Sequence, residues 1–454
     1  MTPMRGPRCL LLSLLLLGGM LLTPRPARAG GVEPCEYASV FPGAALNVLV
    51  LPYRYEAPRG GDGGVAVAVP PELELASRQL AALVHLETLM SLLKYGSVGA
   101  KNLLAEPSQL CDVERVLARI GRPGESGGAP APGALRGGQA VLLLWGRLFE
   151  QGGQLYLQSY LRFARQGPQG LADERLGFEL GPGLPRLEAG LPVQALAFAP
   201  RRIGRQELAR VDRDFRQAML LRKEPRADAP GRSIDFSPHE AFAYWITAAR
   251  GDWMQLQPMA GGPAGWVQVR GEATPDWSLQ RWLPELAYVD AVAGFMRLRT
   301  SQQPVTVAER QRMLRAIETG LARYEQALAA ELAPQPWGLA AALRGWLAWE
   351  RREREAAVAQ FERSRELMPD YAGARQLAAL ARAAAAAPLD RQAGERLTRE
   401  LMAALALAPE RPELLGNLVR LLGFFASAAG ADRSPYEPAL LDERLRILRA
   451  AAER

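Results

Sequence analysis

Few residues in the chain have the type and spacing that chemistry requires. Gly124-Glu125-Ser126-Gly127-Gly128 has the outline of a nucleophile elbow, in which a serine sits on a tight turn between a strand and a helix. Here Ser126 lies in "GRPGESGGAPAPGALRGG", a run of Gly and Pro that supplies neither flank. "GSVGAKN", residues 96–102, sets Lys101 after glycines but lacks the phosphate-loop spacing and the hydroxyl that would hold magnesium. His85 falls on a leucine face and His239 beside a turn, with no His or Cys at ligand spacing, so no metal site and no cofactor is expected. The carboxylates are plentiful but form no convergent pair, and the expected class is non-catalytic.

The aromatic residues are more informative. In "GDWMQLQPMAGGPAGWVQV", residues 251–269, Met254 and Leu256 alternate with Trp253, Gln255 and Gln257. Val267 and Val269 alternate in the same way with Trp266 and Gln268. Both indoles therefore share a face with glutamines. Either they line a ligand groove or the helices after residue 284 cover them, a burial worth several kcal/mol per ring by area.

The elements that position these residues follow from composition and periodicity. The chain opens with Arg5 and Arg8, an apolar run from Leu10 to Leu22, and Ala27-Arg28-Ala29. That order predicts a secretory signal over residues 1–29, cleaved after Ala29, because the run is far short of the roughly 20 residues needed to span a bilayer. No later stretch is apolar enough to span, so the mature protein is expected to be soluble in the periplasm. The formal charge of +7 rests on 55 basic and 48 acidic residues. Arg5, Arg8, Arg25 and Arg28 leave with the signal, so the mature balance is 51 to 48, too even for a nucleic-acid surface. Of three cysteines Cys9 also leaves, and Cys35 and Cys111 remain as an even pair. Bonded, they close a loop of about 76 residues worth roughly 4 kcal/mol; unbonded, they are two small buried thiols.

Along the mature chain, "LNVLVLP" at 46–52 reads as a buried strand. A helix follows with Leu80, Leu83, Val84, Leu86, Leu89, Met90 and Leu93 on one face. Then come a short strand near "VGAKNLLA", a helix in "EPSQLCDVERVLARIG" that Ser108 can cap, and a hairpin turning at Gln151-Gly152-Gly153. This order predicts an α/β unit with a mixed sheet. Short strands follow over 231–272, and from Pro284 the pattern is helical to the end. The expected fold class is multidomain α+β: an N-terminal α/β mixed-sheet domain over 30–225, a small β-barrel over 231–272, and a C-terminal α-helical repeat array over 284–454.

Three resemblances sharpen this. "LNVLVLPY" with "AVLLLWGRLFEQGGQLYLQSYLRF" resembles the TolB amino-terminal-like family over about residues 44–165, which implies a periplasmic interaction module with no catalytic residues to transfer. "AFAYWITAAR", Gly251-Asp252-Trp253 and Gly265-Trp266-Val267 resemble the bacterial Src homology 3 type of barrel. That resemblance implies a peptide groove lined by Trp253 and Trp266 together with Tyr244, and peptidoglycan stem peptide as a ligand. "GLAAALRGWLAWERREREAAVAQFERSRELMP" resembles one tetratricopeptide repeat through Gly345, Ala357, Phe361 and Pro369, although Ala341, Arg344 and Ala348 depart from the motif. The step from Phe361 to Pro369 recurs from Leu401 to Pro409, and Pro334 is expected to end an earlier helix. In that register Ala342, Trp346 and Trp349 line a concave groove; packing on a neighbouring hairpin is the alternative.

The function expected from these features is a non-catalytic periplasmic adaptor or scaffold that binds protein or peptide partners in cell-envelope assembly. A cytoplasmic-type signalling or regulatory repeat protein and an exported hydrolase are the alternatives.

Overall fold

The computed structural model describes Val40, residues 43–56, six helical residues between 71 and 88, and residues 98–102, 113–121, 134–167, 170–172, 174–190, 195–204 and 206. It further describes 220–233, 244–250, 253–258, 262–268, 283–300, 306–329, 331–427 and 429–452. These residues form a mixed α/β structure with an N-terminal mixed sheet and a C-terminal helical segment.

The first sheet grows around β1 (Leu46–Glu56). β1 runs parallel to β2 (Val98–Asn102) and to β3 (Ala140–Gln151), and β3 turns back antiparallel into β4 (Gln154–Gly167). The turn is the expected one: Gly152 and Gly153 both have positive φ, which suits the tight turn of a twisted hairpin. β5 (Gly170–Ala172), β8 (Ala195–Ala197) and β9 (Arg201–Arg202) all pair with β4. β1 is mostly apolar from Leu46 to Leu51 because both of its faces are covered there. Leu46, Val48, Val50 and Tyr53 enter one core, while Leu49 and Leu51 enter a second beneath α1 (Val113–Ile120), beside Val116, Leu117 and Ile120. Such double burial is the mark of parallel pairing.

β6 (Arg175–Phe178) and β7 (Leu187–Gly190) form a separate antiparallel hairpin. A five-stranded antiparallel sheet follows in the order β11 (Gly231–Ser233), β10 (Leu220–Arg222), β14 (Gly265–Gln268), β13 (Trp253–Pro258), β12 (Tyr244–Arg250). β10, on the N-terminal side of the expected boundary at residue 225, thus pairs with β14 and β11.

The helical segment comprises α2 (Glu285–Thr300), α3 (Val307–Ala327), α4 (Pro334–Glu350), α5 (Arg354–Leu367), α6 (Ala372–Ala385), α7 (Arg391–Leu407), α8 (Pro412–Ala426) and α9 (Pro438–Ala452). Successive helices pack against one another. Pro369 and Pro409 follow the C-caps of α5 and α7, as their spacing predicts. Pro334 does the opposite of what was expected: it is the first residue of α4, where a missing N–H costs nothing. A single cluster of buried side chains runs from Leu46 and Phe163 through Leu221, Leu256 and Val267 to Leu283, Phe361 and Leu448. Sheets and helices therefore share one core.

Candidate peptide-binding faces

The register of β12, β13 and β14 settles which residues share a side. Trp253 lies opposite Arg250 and Gln268, and Gln255 lies opposite Trp266, which in turn faces Arg222 of β10. One face therefore carries two indoles, two guanidinium groups and glutamines. The other carries Leu221, Leu256 and Val267, which join the core containing Leu283 and Leu286; among the described residues neither indole belongs to that cluster. Core packing from the helical segment thus reaches this sheet through Leu221, Leu256 and Val267.

The two rings differ in access. Trp253 is half-buried, whereas Trp266 retains only 8% of its exposure. The Arg250 guanidinium lies 5.8 Å from the Trp266 ring centre, within reach of a cation–π attraction. Thr247 Oγ1 donates to Gln255 Oε1 (2.9 Å), Gln257 Nε2 to the Gly262 carbonyl (2.6 Å), and Arg222 to the Ala229 carbonyl (2.8 Å). The backbone of Tyr244 pairs with Pro258, and its side chain lies outside the described residues. Indole, guanidinium and primary amide offer stacking, charge and hydrogen bonding, the combination that holds an extended peptide.

Of the two readings of the helical aromatic stripe, groove or packing, Trp346 takes the packed one. Ala342 and Trp346 are buried at 2% and 1% exposure, and the Trp346 ring stacks on Phe295 of α2 with centroids 4.0 Å apart and planes within 8°. The ring it packs on comes from α2, which lies outside the repeat register, so Ala342 and Trp346 do not line an open groove. Trp349 is half-buried between the Arg354 guanidinium (3.6 Å) and Phe178 of β6 (4.7 Å). The helical face beside Trp349 does receive an extended segment, and that segment is the chain's own hairpin.

Two residues that the sequence reading passed over hold that hairpin. The Glu188 N–H donates to Asn417 Oδ1 (3.0 Å), and the Glu188 carbonyl accepts from Asn417 Nδ2 (2.5 Å) and Gln376 Nε2 (3.0 Å). Asn417 and Gln376 are fully buried. The available signal was an amide on the apolar face of each helix: Asn417 sits among Leu414, Leu418 and Leu421, and Gln376 beside Leu377 and Leu380. A buried amide costs free energy unless it is paired.

A polar cluster also lies where α2 meets the first sheet. Glu285 opens α2 at 2% exposure, with Arg201 of β9 3.7 Å from one carboxylate oxygen. Arg201 also reaches Glu331 at 3.1 Å. Burial raises the Glu285 carboxyl to about 7, against the opposing pull of Arg201. Burial likewise pushes the neighbouring Tyr53 and Tyr324 phenols well above their usual range. Tyr53 shares a hydrogen bond with Ser159 at 3.3 Å. A serine, a carboxyl and two phenols are thus close together, but Tyr53, Ser159, Glu285 and Tyr324 are each at most 2% exposed, so none is open to a substrate.

Ser126, His85, His239, Cys35 and Cys111 lie outside the described residues, as do residues 1–29; Lys101 sits on β2 opposite Leu49. Among the described residues no cluster of His, Cys, Asp and Glu could hold a metal ion, and no helix is long and apolar enough to cross a membrane. No family model, no curated protein and no solved structure matches the chain.

Proposed function

We propose that the chain is a non-catalytic adaptor, exported to the periplasm by residues 1–29, that binds protein or peptide partners through the tryptophan-bearing face of its five-stranded sheet. In this reading the sheet is the small barrel, and the helical segment is a degenerate tetratricopeptide array that braces the amino-terminal α/β unit. The observation that carries the proposal is the position of Trp253. It stays half-buried beside Arg250 and Gln255 while the opposite face of the same strands supplies the core. Sheet faces spared by the core and furnished with aromatic and arginine side chains resemble the centre of interaction surfaces, where those residue types are enriched. The guanidinium groups of Arg222 and Arg250 favour a ligand with carboxylates, such as a peptidoglycan stem peptide.

Titration with stem peptides, read by tryptophan fluorescence, tests this. The protein is expected to bind, and Trp253→Ala is expected to abolish the response without altering the circular dichroism spectrum. Undiminished binding by that variant would remove the face from consideration.

A further inference from the structure

The hairpin β6–β7 lies on the face that α4, α6 and α8 share, and the way it is held is unusual for a core element. Glu188 pairs with Gly177 in the hairpin, yet its N–H and C=O both go to the helices. In an antiparallel pair a residue either exchanges both bonds with its partner or turns both outward. Glu188 turns both outward, and the Asn417 amide answers with one acceptor and one donor, as a third strand would. Arg420 also donates to the same Asn417 oxygen at 2.8 Å. Gln376 adds a second donor to the Glu188 carbonyl, while its own Oε1 has no hydrogen-bond partner among the described residues. This helical face therefore reads a backbone, and it keeps an unmet acceptor for another N–H.

Side chains enter only beside that central residue. Leu187 and Ala189 are fully buried, whereas the Glu188 side chain turns outward to pair with Arg175 at 3.4 Å, both about one-third exposed. Phe178 from β6 closes the site against Trp349. The selected pattern is an extended segment with apolar residues on either side of a position recognised through its peptide group alone.

The geometry points to an exchangeable strand: the face of α6 and α8 that holds β7 through Asn417 and Gln376 binds an extended partner peptide of that pattern, with β7 as its built-in competitor. This rests on the reading of the chain as a peptide-binding adaptor but uses a surface separate from Trp253. The tether gives β7 an effective concentration on the order of millimolar, so a free peptide competes poorly until the hairpin is loosened.

Fluorescein-labelled peptide of residues 184–192, LPRLEAGLP, is the probe. Glu188→Pro in the full chain removes the N–H given to Asn417 and spares the ladder to β6, which does not use it. Anisotropy is expected to show binding tighter than wild type by about tenfold or more, the competing tether being weakened. Adding Asn417→Ala should return it to the wild-type level, and Trp253→Ala should leave it unchanged. Equal binding by wild type and Glu188→Pro, or indifference to Asn417→Ala, overturns the proposal. So does loss of the signal with Trp253→Ala, which would assign the peptide to the tryptophan face. If Glu188→Pro does not fold, hydrogen exchange on the wild type decides. Excess unlabelled peptide is expected to speed exchange over residues 187–190, and an unchanged rate refutes the exchange.

Discussion

Glu285 shows how one residue can make stability depend on pH. Its carboxyl, buried where α2 meets β4 and β9, is pushed up to about 7 from the ordinary 4.5, with desolvation the main cause and Arg201 opposing it. A folded pKa above the unfolded one means that the native state holds its proton longer. The resulting stabilisation is full below pH about 4.5 and is lost as pH rises through about 7. The gap corresponds to about 3 kcal/mol. Glu285→Gln, which keeps the shape without the titration, is expected to flatten this fall; urea denaturation at pH 4.5, 6 and 8 measures it, and an unaltered slope would place the effect elsewhere. Trp346 makes a different point at the same scale. Spacing put Trp346 and Trp349 on one stripe but could not say what faced it. Since Phe295 stacks on the Trp346 ring, Trp346→Ala should cost about 3–5 kcal/mol, the usual range for an emptied core site. A denaturation midpoint close to wild type would contradict that packing.

Elements were legible where the signal was local. Alternation in "WMQLQ" and "WVQV" fixed the faces of β13 and β14, and Gly152-Gly153 fixed the turn between β3 and β4. Short-range spacing also placed Gly345 at the crossing of α4 and α5: a methyl group on Gly345 would come within 2.6 Å of the Phe361 ring. Two effects of Gly345→Ala then oppose each other. Alanine gains about 1 kcal/mol of helix propensity over glycine, while forcing an atom into a filled crossing costs about 1–3 kcal/mol. Because Phe361 is fully buried and has little room to yield, steric cost should win and the variant should be less stable than wild type. Thermal unfolding checks the sign, and a raised midpoint would mean that the helices separate freely. Pro334 was misread because a proline after an apolar helical run fits a helix end and the start of the next one equally well.

At the scale of the whole molecule, sequence patterning could not show how the parts meet. Glu188 and Asn417 are 229 residues apart, and no periodicity connects them. The same holds for Arg299 of α2, which bonds Glu174 (2.6 Å), the Arg175 carbonyl (2.8 Å) and Glu350 of α4 (3.2 Å), tying the hairpin to two helices. Phe198 against Tyr288 and Gln335 against the Ala197 carbonyl add two more seams between the first sheet and the helices. Chains of this length commonly unfold domain by domain. Here one continuous core crosses the seams, so separating the first sheet from the helices would expose Phe198 and Tyr288 to water at about 1.5–3 kcal/mol for each large apolar side chain. The sheet and the helical segment should therefore unfold together. In native-state hydrogen exchange with rising denaturant, the slowest amides of β3 and those of α6 are expected to lose protection at the same concentration. Loss in α6 well before β3 would mean that the seams open on their own, and that the helical segment can leave the sheet without unfolding it.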